Sequence, residues 1–153
     1  MTIKYIRTSP NVHPLGFIPQ GDWVDLAIAE DVDLGRHKFK PVSMGIRMQL
    51  PKGFEAHVLP RSSTGKRYKV LCYNSQGVID ESYCGPDDIW HFLIYAPVGC
   101  FIPAGKDIAQ FRIMPKMKAS VWVKLKWLFT RKIKFKEVAD FKATNRGGLG
   151  STH

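Results

Sequence analysis

Residues 55–80 read EAHVLPRSSTGKRYKVLCYNSQGVID, and their texture decides the fold class. Glu55–Leu59 alternates between polar and apolar residues, the period of a half-buried strand. Pro60-Arg61-Ser62-Ser63 interrupts it with a guanidinium and two hydroxyls, a set suited to gripping an anion. Tyr68–Tyr73 returns to β-type residues rich in buried kinds, before the polar turn at Asn74-Ser75-Gln76-Gly77. The same rhythm runs outward in both directions. Ile3–Arg7 and Gly45–Leu50 alternate, and Ile89–Ala96 and Ile108–Met114 are apolar and β-branched or aromatic. Pro51-Lys52-Gly53 and Pro103-Ala104-Gly105 supply turn signals between them. Many short strands at regular spacing, with no long helical period, predict an all-β sandwich or barrel.

A chain of 153 residues with 44% hydrophobic content can build one domain with a sizeable core. Lys and Arg number 23 against 13 Asp and Glu, a net charge of +10 that favours a polyanionic partner. Cys72, Cys84 and Cys100 lack paired spacing, which argues against a disulfide framework or a structural zinc site and for a reducing cytoplasm. The first ten residues lack the apolar core of a secretion signal, and the apolar runs are too short to cross a bilayer.

One segment differs in kind. Lys118–Val138 alternates apolar and basic residues, with Val121, Val123 and Leu125 on one side and Lys124 and Lys126 on the other. Ile133 and Phe135 then alternate with Lys132, Lys134 and Lys136. This pattern predicts a β-hairpin with one apolar and one cationic face, with an amphipathic helix over Trp122–Phe129 as the less favoured reading. Such a hairpin offers a protein or nucleic-acid contact, or simply a solvated face packed on its own subunit. The last residues, 144–153, are rich in Gly, Ser and Thr; they read either as a frayed end or as a flexible arm whose amides converge on phosphate.

Taken singly, the chemical motifs have ordinary explanations. Asp80 can form a turn or act as a general base. Tyr83 can be a half-buried strand aromatic or a flat face against a sugar, and Asn74 can read a base edge with its amide. Their order is more specific: Val24–Ala29 (VDLAIA), PRSS, Asn74–Gly85 (NSQGVIDESYCG), Gly105–Phe111 (GKDIAQF) and Arg146–Thr152 (RGGLGST). This series resembles the five ordered motifs of the trimeric dUTPase family.

The resemblance implies a dUTPase-like β-barrel or jelly-roll domain over residues 1–143, with an inserted basic hairpin at about 118–138, and a C-terminal arm at 144–153. It implies a homotrimer with shared active sites that hydrolyses dUTP to dUMP and pyrophosphate with Mg²⁺. By position, Asp25 matches the acid that organises the metal through water. Arg61, Ser62 and Ser63 match phosphate contacts. Asn74, with Gly77, Val78 and Ile79 of the same hairpin, matches the uracil-binding part. Asp80 matches the base that activates water, and Tyr83 the ring that packs on deoxyribose. Gln110 matches the glutamine near the α-phosphate, and Arg146, Leu149, Gly150, Ser151 and Thr152 match the arm that closes over the phosphates. The chain departs from the family pattern in four places. Leu149 stands where an aromatic is usual and Asp107 where a basic residue is usual. Arg146 lies unusually close to Leu149, and Cys84–Trp90 (CGPDDIW) replaces a shorter segment after Tyr83. A deaminase of the same fold acting on dCTP and a nucleotide-switched regulator holding a protein partner are the alternatives.

Overall fold

The computed structural model describes residues 1–17, 21–130 and 132–145. Among these residues, twelve strands and two short helices follow one another. They are β1 (Thr2–Arg7), β2 (Val24–Ala27), β3 (Val32–Leu34), β4 (Lys38–Ser43), β5 (Ile46–Gln49), β6 (Phe54–Pro60), α1 (Thr64–Tyr68), β7 (Leu71–Cys72), β8 (Gly77–Asp80), β9 (His91–Ala96), β10 (Cys100–Ile102), β11 (Asp107–Pro115), α2 (Val121–Leu128) and β12 (Lys134–Glu137). The expected all-β class is what the chain adopts.

The described strands form four small sheets around one core, in the orders β12-β1-β5, β10-β3, β2-β11-β6-β8 and β4-β9-β7. Period-two patterning explains which residues point inward. Phe54, Ala56 and Val58 of β6 are buried while Glu55, His57 and Leu59 face outward. Phe92, Ile94 and Ala96 of β9 are buried in the same alternation. Trp90, fully buried, meets the ring of Phe111 edge-on at 5.2 Å between centroids, and so joins the approach to β9 to β11 at the centre.

Two sequence expectations are corrected. The run Tyr68–Tyr73 is not one strand. The chain leaves Ser63 into α1, which stops at Lys69 in a left-handed conformation (φ 56°), so only Leu71–Cys72 pairs. The basic segment is not a hairpin either. Val121–Leu128 is helical, with the Ser120 side chain accepting a hydrogen bond from the Val123 amide at 3.4 Å. Val123 and Trp127, four residues apart, share the helix face that reaches the body of the protein. Trp127 packs edge-on against Phe54 at 5.8 Å, and Val123 lies over Gly53. Lys134–Glu137 then forms a strand, but it pairs in parallel with β1, from Thr2↔Lys134 to Tyr5↔Glu137, rather than with the segment before it.

Candidate functional site

Strand β6 organises the site, because β11 pairs along one of its edges and β8 along the other. At its C-terminal end, Leu59 stands opposite Gln110, and Gln110 in turn stands opposite Asp25 of β2. Arg61 and the two serines follow directly. The turn that carries them is fastened to one carbonyl of β11: the Arg61 amide donates to the Ile108 oxygen at 3.0 Å, and the Thr64 hydroxyl donates to the same oxygen at 2.6 Å. Thr64 is 1% exposed, so this clamp is dry and strong. Ser62 is exposed, and the Ser63 side chain makes no capping bond to α1.

Charge at this end is arranged around Arg61. Its Nε lies 3.1 Å from Asp25 Oδ1, while its Nη1 lies 3.4 Å from the Asp107 carbonyl oxygen and 3.9 Å from Asp107 Oδ2. Asp107 Oδ1 is 2.6 Å from His13 Nε2. Burial raises the Asp25 pKa; the Arg61 charge pulls it down, and the neighbouring Asp107 pushes it up, leaving it above the ordinary value. Burial lowers the His13 pKa, but the hydrogen bonds to Asp107 and the Pro14 carbonyl outweigh it and leave it raised. Sequence reasoning missed His13: it is 94 positions from Asp107 and carries no local signal.

The second group follows β8 along β6, from Gly77 near the Arg61 end to Asp80 at the other end. Gly77, Val78, Ile79 and Asp80 pair with Val58, His57, Ala56 and Glu55. Asn74 lies exposed in the turn between β7 and β8, where Ser75 has a positive φ of 60°. The Asn74 Oδ1 accepts from the Cys72 thiol at 3.2 Å. Asp80 Oδ1 accepts from the Ser82 amide at 2.8 Å and from its hydroxyl at 2.5 Å, which is the turn geometry that Asp favours. Tyr83 is half-buried and donates to the Ile89 carbonyl at 3.1 Å; burial pushes its phenol up.

Asp80 and Gln110 share the outward face but not a place on it. Asp80 is opposite Glu55 and Gln110 is opposite Leu59. Four residues along a strand and two strand spacings across put their backbones roughly 16 Å apart. The Glu55–His57 pair, at 2.9 Å, stands between. One chain therefore brings Asp25, Arg61, Ser62, Ser63 and Gln110 together and holds Asp80 apart from them.

The described part of the C-terminal tail ends beside the second group. Asn145 accepts from the Asp87 amide at 2.8 Å and donates its side-chain amide to the Asp87 carboxylate at 2.5 Å. It lies so close to Gly85 that a Cβ there would fall 2.4 Å from the Asn145 Cα. Arg146, Leu149, Gly150, Ser151 and Thr152 lie outside the described residues. Among the described residues no cluster of three or more His, Cys, Asp or Glu could hold a metal, and no helix is long and apolar enough to cross a membrane.

Comparison with known proteins finds clear relatives of this chain. The sequence is 47% identical over 151 residues to the SPbeta prophage-derived deoxyuridine 5'-triphosphate nucleotidohydrolase YosS of Bacillus subtilis, covering 98% of this chain and 95% of that one. The fold matches the crystal structure of a dUTPase from Streptococcus mutans with a TM-score of 0.67 at 22% identity, over 78% of this chain and 99% of that one. It also matches a mutant dUTPase from phage phi11 of S. aureus, a structure described for its coordination of a structural Mg(II) ion. There the TM-score is 0.69 at 16% identity, over 79% of this chain and 95% of that one. The family profile described as dUTPase matches residues 24–153, from the strand that carries Asp25 to the end of the chain, and the protein belongs to that family.

Proposed function

We propose that the protein hydrolyses dUTP to dUMP and pyrophosphate in active sites shared between copies of a homotrimer. The observation that carries this reading is the separation of Asp80 from Arg61 and Gln110 along one strand face. A nucleotide spans from base to phosphates, and its reacting phosphorus must meet both groups at once. A neighbouring copy presenting its Arg61 end to this chain's Asp80 end completes the set.

In that site Asn74 and the backbone of Gly77–Ile79 hold uracil, and Tyr83 packs on the deoxyribose. Arg61, Ser62 and Ser63 bind phosphate oxygens, with Gln110 beside the α-phosphate. Asp80 takes a proton from water as the water oxygen bonds to the α-phosphorus, and the bond from that phosphorus to the bridging oxygen breaks, releasing pyrophosphate. Arg146, Leu149, Gly150, Ser151 and Thr152 close over the phosphates. Mg²⁺ fits the residues present in the way it commonly binds, through water and substrate phosphates with few carboxylates, Asp25 being the candidate. When bound it neutralises phosphate charge.

The test is pyrophosphate release from dUTP, dCTP, dTTP and UTP offered separately, with and without Mg²⁺. Hydrolysis confined to dUTP is expected. Efficient turnover of dCTP or UTP would overturn the assignment.

A further inference from the structure

Arg61 is an awkward phosphate ligand as it stands. Asp25 and Asp107 flank its guanidinium. Counting the protein's own groups, one arginine between two carboxylates leaves a formal charge of −1, which opposes a triphosphate. A second cation restores neutrality, and the fold supplies one from a distant part of the chain. His13 reaches Asp107 from the loop after β1, Nε2 to Oδ1 at 2.6 Å. The sequence of contacts is then His13, Asp107, Arg61, Asp25, with charges alternating in sign. The contacts to Asp25 and Asp107 run through Nε and Nη1 and fix the direction of the guanidinium.

Asp107 has its own reason to be here. Where β11 begins, its register against β2 shifts between Asp107 and Ala109. This irregularity sets Asp107 opposite Ala27, on the face that carries Asp25, where it meets His13 and Arg61.

From this geometry we infer that His13 is a positioning residue for the phosphate end of the site: through Asp107 it orients Arg61 and cancels the excess carboxylate charge that would oppose a polyphosphate. The inference rests on the reading of Arg61 as a phosphate ligand. The charged groups that face His13 are Asp107 of β11 and Asp25 of β2, with Arg61 beyond Asp107. Both carboxylates favour the protonated imidazole, in line with its raised pKa. The grip on phosphate is therefore strongest while His13 is charged and weakens as pH rises through its pKa.

The test uses the full-length protein and two readouts: KM and kcat for dUTP, and calorimetric affinity for the non-hydrolysable α,β-imido analogue of dUTP. Both are followed from about pH 6 to about pH 9. His13→Gln keeps a donor for Asp107 and removes the charge. At the acid end it should weaken the analogue's affinity and raise KM by about three- to five-fold, the range of a partly exposed ion pair, with kcat falling less than two-fold. The wild type should lose this advantage as pH rises, so that the two proteins converge. Asp107→Asn added to His13→Gln removes the excess carboxylate and should restore wild-type affinity. Equal affinities for wild type and His13→Gln at every pH would overturn the inference, as would a loss that Asp107→Asn does not repair. A wild type that neither binds the analogue nor hydrolyses dUTP would instead overturn the reading of the whole site.

Discussion

Asp80 and Gln110 face the same way from opposite ends of β6, one paired across Glu55 and the other across Leu59. A site that needs both must draw them from different copies, and this can be measured by complementation. Asp80→Asn and Arg61→Ala should each be inactive alone. Co-assembled in equal amounts, they should regain up to about a quarter of wild-type activity, because random cyclic trimers place both intact residues at one interface in four. No recovery in verified mixed assemblies would mean that a single chain supplies the whole site.

Asp80→Asn is also the informative change at the base. Its Oδ1 accepts from Ser82, and asparagine keeps that oxygen, so the turn after β8 survives while proton acceptance is lost. Turnover should drop by about 10²–10⁴-fold, the usual worth of a general base, with thermal unfolding unchanged. Near wild-type turnover would reduce Asp80 to a turn residue.

The two tryptophans of α2 should behave oppositely. Trp127 covers Phe54, whereas Trp122 is 80% exposed. Trp127→Ala should cost about 2 kcal/mol, below the range for fully buried aromatics because Trp127 is only half-buried. Trp122→Ala should stay within about 0.5 kcal/mol. Urea unfolding with an unchanged slope separates them; equal losses would contradict the helix orientation.

Acid stability should depend in part on Glu81. Burial raises its pKa, but hydrogen bonds from Lys116 and from backbone amides, including that of Gly53, outweigh it, and the net shift is downward. A carboxyl with a depressed folded pKa stabilises above its unfolded value, about 4.3, and loses that contribution as pH falls through the folded value. Glu81→Gln should therefore lower stability near neutrality and flatten its decline in acid, read from urea midpoints at a series of pH values. A decline as steep as in the wild type would exclude this source.

The sequence made the strands and the chemistry legible to different depths. Phe54–Pro60 and His91–Ala96 announce themselves because one face is buried and the other wet. Helix α2 hides because Val-Trp-Val-Lys-Leu-Lys satisfies a two-residue period by accident, and because exposed Val121, Leu128 and Phe129 blur the helical one. The single cationic face expected there does not form. Lys124 and Lys126 are about 200° apart around a helix, and Lys134 and Lys136 belong to β12. Motif order points to Asp80, Tyr83, Arg61 and Gln110 but carries no distances, so the separation of Asp80 from Gln110 emerges only from the register of β6. The His13–Asp107 contact depends on how a loop folds back and on a bulge, and neither leaves a local trace.

Strand β1 has β5 on one edge and β12 on the other, and the Met1 ammonium donates to the Lys132 carbonyl at 2.8 Å. Strand β1 thus depends on β12, far along the chain, before its sheet is complete. Until Lys134–Glu137 emerges, a nascent chain carries β1 with an open edge, the kind of surface that recruits foreign strands. Closure of this sheet is consequently a long-range event, slow by the measure of such pairing, and truncation before residue 134 strips β1 of its β12 partner.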